Sequence, residues 1–264
     1  MFGLKGLLMR ILNSGFSLES FFERLKVEQS LLLLDYDGTL APFHVDPAKA
    51  VPYPGVIGLL EKILESTRTR LVIISGRAID SLLPLLPLSS LPEIWGCHGG
   101  ERQTAQKRST QLLSEKQQQG VCIVQELVRK TACEHRCEIK PLSIAVHWRG
   151  CSETEIERVI QSLQFECDLY DLERHEFDGG IEFRAPGVDK GGAIETLLQE
   201  VGPNCPVAYA GDDATDEHAF EALGDRGLKI LVRKEIRPTL ADIQLEPPEE
   251  LLEFLERWAF AVTS

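Results

Sequence analysis

Positive charge is scarce in this chain: of 264 residues, 28 are Lys or Arg against 41 Asp or Glu, a formal net charge of −13. A nucleic-acid partner needs clustered Lys and Arg against its phosphates, so that class is excluded as the main partner. A small phosphorylated ligand needs only a few local cations and stays open. Long apolar runs are missing as well: no stretch of about 18 uncharged apolar residues occurs, which excludes a membrane-spanning helix. The seven cysteines include no CxxC pair, and an odd count without paired spacing reads as free thiols in a reducing compartment. Cys133 and Cys137 flank His135, but a structural metal site takes about four ligands and no second pair lies nearby. Lys5 and Arg10 interrupt any secretory apolar segment, so residues 1–27 are expected to form an amphipathic lead-in helix. Glu19 and Glu23 count against an organelle transit peptide, and the expected compartment is the cytoplasm.

At 43% hydrophobic and 26% charged the composition is that of a globular protein, long enough for one large domain or two unequal ones. Four short apolar runs are bounded by turn signals: Leu31–Leu34, Leu71–Ile74, Pro206–Ala210 and Leu228–Val232. Runs of this kind read as parallel strands buried on both faces. Helical spacing of Val56, Leu59, Leu60, Ile63 and Leu64 fills the gap after the first run; Ala193, Ile194, Leu197, Leu198 and Val201 repeat it later. Strand–helix–strand alternation predicts an α/β fold with a doubly wound parallel sheet, whose ligands bind outside the carboxyl ends of the strands.

The middle of the chain differs. Leu142, Ile144, Val146 and Trp148 alternate with polar residues, placing His147 and Arg149 on the opposite face. Ser152 and Glu155 form a capping box before a helix carrying Ile156, Val159, Ile160 and Leu163. Tyr170–Phe177 and Ile181–Arg184 read as strands joined by an Asp178-Gly179-Gly180 turn. The expectation is a core of residues 1–104 and 186–264 with an inserted α+β cap, residues 105–185, and a cleft between the lobes.

Chemistry-bearing residues follow the apolar runs. Asp35 and Asp37 leave the first strand at i and i+2, pointing the same way, so one pKa rises unless a cation neutralises the pair. Such a pair suits a nucleophilic carboxylate beside a general acid, with Mg²⁺ holding the site together. Ser75-Gly76-Arg77 ends the second strand, where a hydroxyl and backbone N–H groups can hold a phosphate oxygen. Lys190 sits in the first turn of a helix, against the helix dipole, and therefore reads as serving a phosphate or a carboxylate. Asp212, Asp213, Asp216 and Glu217 crowd the end of the third run as a hard-cation site.

In this order and placement the motifs resemble the haloacid dehalogenase (HAD) superfamily of phosphohydrolases. More narrowly, Leu34–Pro42, Ile74–Arg77, His98-Gly99, Ala145–Arg149, Val188–Gly191 and Gly211–Glu217 resemble the trehalose-6-phosphate phosphatase family. The resemblance implies that Asp35 attacks phosphorus and that Asp37 serves as general acid and then base. It implies that Ser75 and Lys190 hold the phosphoryl oxygens. Asp35, the Asp37 carbonyl and Asp212 would bind Mg²⁺, or Mn²⁺, with Asp213 and Asp216 supporting them. Arg77, His98, Arg149 and Glu182 would face the sugar phosphate, with a trehalose-phosphate synthase as a partner to be expected. Cys97 departs from the family, which often has a polar residue there, and Asp178-Gly179-Gly180 offers no Lys or Asn to the sugar. Two alternatives stay open: a phosphatase of the same fold for another glycosyl phosphate (sucrose, glucosylglycerol or mannosylglycerate), and a non-catalytic sugar-phosphate sensor or phospho-accepting domain.

Overall fold

The apolar runs become neighbouring strands because each buries both of its faces. A computed structural model describes residues 9–13, 15–130, 136–177 and 179–264. Residues 1–8 of the expected lead-in, Cys133, His135 and Asp178 therefore lie outside the described residues. The larger sheet contains β1 (Arg10–Ile11), β2 (Ser30–Leu34), β3 (Thr69–Ile74), β4 (Glu93–Gly96), β5 (Glu101–Gln103) and β6 (Arg108–Thr110). The smaller sheet holds β7 (Cys137–Lys140), β8 (Ser143–His147), β9 (Glu173–Phe177) and β10 (Gly180–Arg184). The chain then returns to the larger sheet with β11 (Val207–Gly211), β12 (Leu228–Val232) and β13 (Ile243–Leu245).

The larger sheet runs β1-β13-β12-β11-β2-β3-β4-β5-β6. Its interior pairs, β13 to β4, are parallel, and the edge strands β1, β5 and β6 are antiparallel. Side chains alternate between two cores. Leu32, Leu34, Leu71 and Ile73 face α1 (Leu18–Leu25), α2 (Val56–Glu65), the short α3 (Ile79–Leu82) and α8 (Glu249–Thr263). Leu31, Leu33, Val72 and Ile74 face α6 (Lys190–Glu200) and α7 (Asp216–Leu223). The chain winds outward from β2 in one direction and from β11 in the other, so the carboxyl ends of β2 and β11 form the topological switch point.

The smaller sheet, β7-β8-β10-β9, is antiparallel throughout. One face packs Ile144, Val146, Ile181 and Phe183 with Val121, Val124 and Val128 of α4 (Glu115–Arg129) and Val159 of α5 (Glu153–Ser162). Both helices start on capping boxes, Ser114 with Gln117 and Ser152 with Glu155.

Three features differ from the sequence reading. The described part of the lead-in holds a strand and a short helix: β1 pairs with β13, and α1 is capped by Ser17, whose hydroxyl accepts from Ser20 N at 3.4 Å. Cys167–Tyr170 folds as a 3₁₀ turn, so β9 starts only at Glu173. The expected lobe boundary at residue 105 falls between β5 and β6, a hairpin whose pairing with β4 extends the larger sheet. Among the described residues no helix is long and apolar enough to cross a membrane.

Candidate active site

Asp35 leaves β2 with its N–H on Ala210 O of β11 at 2.8 Å, which fixes the carboxylate at the switch point. Gly38, at φ +80°, lets the following turn fold tightly, since a Cβ there would lie 2.2 Å from Asp212 Oδ2. Lys190, at the start of α6, donates to Asp35 Oδ1 and to Asp216 Oδ1, each at 2.7 Å. Asp216 is saturated: it also accepts from the Tyr209 hydroxyl and from the backbone N–H of Asp212 (2.9 Å) and Asp213 (3.0 Å). Burial alone would raise the Asp216 pKa, but Lys190, Tyr209 and the backbone donor of Asp213 hold it below the ordinary value. Burial likewise opposes the Lys190 ammonium, and Asp216 and Asp35 more than offset it.

Asp35 and Asp212 carry the unbalanced charge. Burial first, then Asp216 and Asp213, push the Asp35 pKa up to about 8, although Lys190 opposes the shift. Asp212 is raised too, by burial and then by Asp35, Asp216 and Asp213. Its Oδ1 is buried with no hydrogen-bond partner among the described residues. Carboxylate oxygens of Asp35, Asp212 and Asp216 all lie within 4.8 Å of one another. Hard oxygen donors, mutual repulsion and an orphaned oxygen together fit a divalent cation held by Asp35 and Asp212.

Asp37 stands apart from that cluster. Arg77 Nε and Nη2 each donate to one of its oxygens at 2.7 Å, while Arg77 Nη1 holds the carbonyl of Pro47 at 2.9 Å. Ser75 is fully buried, its hydroxyl accepting from Arg77 N at 3.1 Å. Asp213 Oδ1 accepts from Thr215 N (2.8 Å) and Oγ1 (2.7 Å), and Arg237 reaches the Asp212 and Asp213 carbonyls while pairing with Glu217 at 2.6 Å.

The second face of the smaller sheet looks onto this centre. Strand pairing puts Lys140, Ser143, Arg184 and Glu173 in one row, and Glu138, Ala145, Glu182 and His175 in the next. His147, Gly180 and Phe177 make a third. Glu182 is buried and accepts from Lys140 Nζ at 2.9 Å, Ser143 Oγ at 2.5 Å and His98 Nε2 at 3.0 Å. Burial would raise the Glu182 pKa, yet Lys140 and His98 hold it well below the carboxylate range. Burial lowers the His98 pKa despite Glu182, and its Nε2–H is the donor, because the Glu182 carboxylate can only accept. His147 pairs with Glu138 at 3.0 Å, and Arg149 lies over the Phe43 ring at 4.5 Å.

One cavity of about 930 Å³, open solvent at its mouth included, joins the two lobes. Of the residues expected from sequence, Asp35, Asp37, Arg77, His98, Arg149, Glu182, Lys190, Asp212 and Asp213 line it; Ser75 and Asp216 sit behind the wall. Glu138, Lys140, His44, Phe43 and Arg184 also line it and were not singled out. The alternation of Glu138 with Lys140, and of Glu182 with Arg184, was the available signal. A carboxylate gripped by a buried lysine at a strand end can attack phosphorus, and a second carboxylate beside it can move a proton.

The fold is that of the haloacid dehalogenase-like hydrolases. A Bacteroides thetaiotaomicron hydrolase of that type superposes with a TM-score of 0.65 at 17% identity, over 87% of this chain and 99% of its own. The C-terminal domain of a Candida albicans trehalose-6-phosphate phosphatase superposes with a TM-score of 0.78 at 21% identity, over 95% and 99%. The trehalose-phosphatase family model matches residues 33–248. A probable trehalose-phosphate phosphatase (H) of Arabidopsis thaliana is 31% identical over 256 residues, 87% of this chain and 72% of that relative. A bifunctional trehalose-6-phosphate synthase/phosphatase of Thermoproteus tenax is 29% identical over 88% of this chain and 32% of its own length. The chain belongs to the trehalose-phosphatase family.

Proposed function

We propose that the protein hydrolyses trehalose 6-phosphate to trehalose and phosphate through an aspartyl-phosphate intermediate. The observation that carries this reading is the single cavity with Asp35, Asp37, Lys190 and Asp212 on one side and the polar face of the smaller sheet on the other. Asp35 Oδ forms the bond to phosphorus as the bond to the sugar oxygen breaks. Lys190 binds a phosphoryl oxygen and tempers Asp35; Ser75 supports the same oxygens through its loop. Asp37 protonates the departing sugar oxygen and then takes a proton from the water that cleaves the acyl phosphate. Arg77 orients Asp37 for both transfers. Mg²⁺ held by Asp35 and Asp212 supplies neutralising charge for the dianion and for the crowded carboxylates. Asp213 and Asp216 keep that loop in shape, Asp216 through the two backbone N–H groups it accepts.

The inserted lobe, which runs from α4 to β10, acts as a cap over the sugar. Glu138 and Glu182 accept from sugar hydroxyls; Lys140, His98 and Arg149 offer donors or an exchangeable partner. The Thermoproteus relative, in which synthase and phosphatase share one chain, supports a synthase as the source of substrate. Phosphate release from trehalose 6-phosphate, sucrose 6-phosphate, glucosylglycerol phosphate and glucose 6-phosphate, with Mg²⁺ and with a chelator, tests the reading. Mg²⁺-dependent preference for trehalose 6-phosphate supports it. Preference for another member keeps the core chemistry and removes the disaccharide; no release from any points to a sensor.

A further inference from the structure

Arg184 is the one charged side chain on the cavity-facing rows of β10 that its neighbours leave unsatisfied. It is only 4% exposed, yet no carboxylate lies within ion-pair distance of it among the described residues. Its Nη2 donates to His175 Nδ1 at 3.2 Å, and its buried Nε has no partner among the described residues. Glu182, two residues earlier on the same face, is already committed to Lys140, Ser143 and His98. Burial accordingly pulls the Arg184 pKa below the ordinary arginine value.

A buried guanidinium short of acceptors is costly, because one hydrogen bond to an imidazole does not repay its desolvation. The fold nevertheless fixes this one in place. His175 Nδ1 accepts from Arg184, which sets the tautomer, so His175 Nε2–H donates to Glu173 Oε2 at 3.1 Å. The relay Arg184–His175–Glu173 holds the guanidinium on the wall of the cavity that also contains Asp35 and Lys190. Arginine offers donors only, so the missing partners are acceptor oxygens. On one side of Ser143 in the same row stands Lys140, whose ammonium is taken by Glu182; on the other stands Arg184.

We infer that Arg184 is a further substrate-binding residue, whose guanidinium donates to hydroxyl or acetal oxygens of the sugar and completes its own hydrogen bonding only when the sugar is bound. The inference rests on the proposed sugar-phosphate hydrolysis. His175 is then a positioning residue that acts through Arg184.

The test compares Arg184→Gln and Arg184→Lys with wild type on trehalose 6-phosphate and on p-nitrophenyl phosphate, which has no sugar. A charge-assisted hydrogen bond corresponds to about 10–100-fold in affinity. The expected result is a kcat/KM for trehalose 6-phosphate that falls about 10–100-fold further than that for p-nitrophenyl phosphate, mainly through KM, with Arg184→Lys intermediate. Inhibition by trehalose itself weakens in parallel. Equal losses on both substrates, or no loss on either, overturn the inference and leave Arg184 a structural cation. If Arg184→Gln does not fold by thermal unfolding, Arg184→Lys, which keeps charge and bulk, decides the point by the same ratio. Failure of wild type on trehalose 6-phosphate counts against the proposed function instead; the comparison is then made with whichever glycosyl phosphate it does hydrolyse.

Discussion

Arg77 grips both oxygens of Asp37, through Nε and Nη2 at 2.7 Å each, and ties them to the Pro47 carbonyl through Nη1 at 2.9 Å. Two carboxylates two residues apart would repel each other, and the fold draws Asp37 away from the Asp35 cluster by giving it an arginine of its own. A bidentate guanidinium also sets the plane of the carboxylate, which a lysine cannot do.

Replacing Arg77 with Gln is therefore expected to lower turnover of trehalose 6-phosphate by about 10-fold or more, part of the roughly 10²–10⁴-fold that acid–base catalysis contributes. Arg77→Lys recovers part of the loss. p-Nitrophenyl phosphate, whose leaving group needs no proton, suffers less in the phosphorylation step. Stopped-flow release of nitrophenolate, set against steady-state phosphate release, separates the two steps.

Asp35→Asn is expected to abolish phosphate release while leaving the fold intact. Lys190 keeps Asp216 as its ion-pair partner in that variant, and a carboxylate that burial makes costly to ionise is gone. Thermal unfolding in a chelator at pH 8 should show a variant at least as stable as wild type; a large loss of stability would give Asp35 a structural role.

The pH dependence has a defined sign. Asp35 rises from 3.8 to about 8 on folding, so the folded state holds a proton that the unfolded state releases. Its contribution is present below the unfolded pKa and is lost as pH climbs through the folded one. Metal-free protein should therefore lose stability between about pH 4 and pH 8. Mg²⁺ should restore it at the upper end, where the ionised carboxylates can bind the ion. Melting temperatures across that range, with chelator and with Mg²⁺, check both halves.

Glu182→Gln removes the partner of the buried Lys140. Breaking a buried pair on one side costs about 3–5 kcal/mol, so denaturant unfolding should register a loss of that order. Trehalose 6-phosphate turnover should fall more than that of p-nitrophenyl phosphate, because Glu182 faces the sugar.

Much of this architecture was legible in the chain. β2, β3, β11 and β12 announce themselves because strands buried on both faces must be continuously apolar, and Asp35 and Asp212 follow from where such strands end. β5 and β6 were not legible: Glu101-Arg102-Gln103 and Arg108-Ser109-Thr110 are polar, and only pairing with β4 makes them strands. In the C-terminal tail Leu251, Phe254, Leu255 and Trp258 recur at helical spacing, and Trp258 is fully buried in the core. At the site, the hold of Arg77 on Asp37 spans 40 residues of sequence and leaves no local pattern. Lys140 and Arg184 are charged residues in short strands, and nothing in their local pattern marks them as buried.

The central claim is that Asp35 carries the phosphoryl group, and acid-quenched intact-mass analysis tests it most directly. Asp37→Asn protein, mixed with p-nitrophenyl phosphate and Mg²⁺, should trap one added phosphoryl group, mapped to the peptide containing Asp35 and absent when Asp35 is also replaced by Asn. Turnover with no trapped species, or a phosphoryl group on any other residue, would contradict the account.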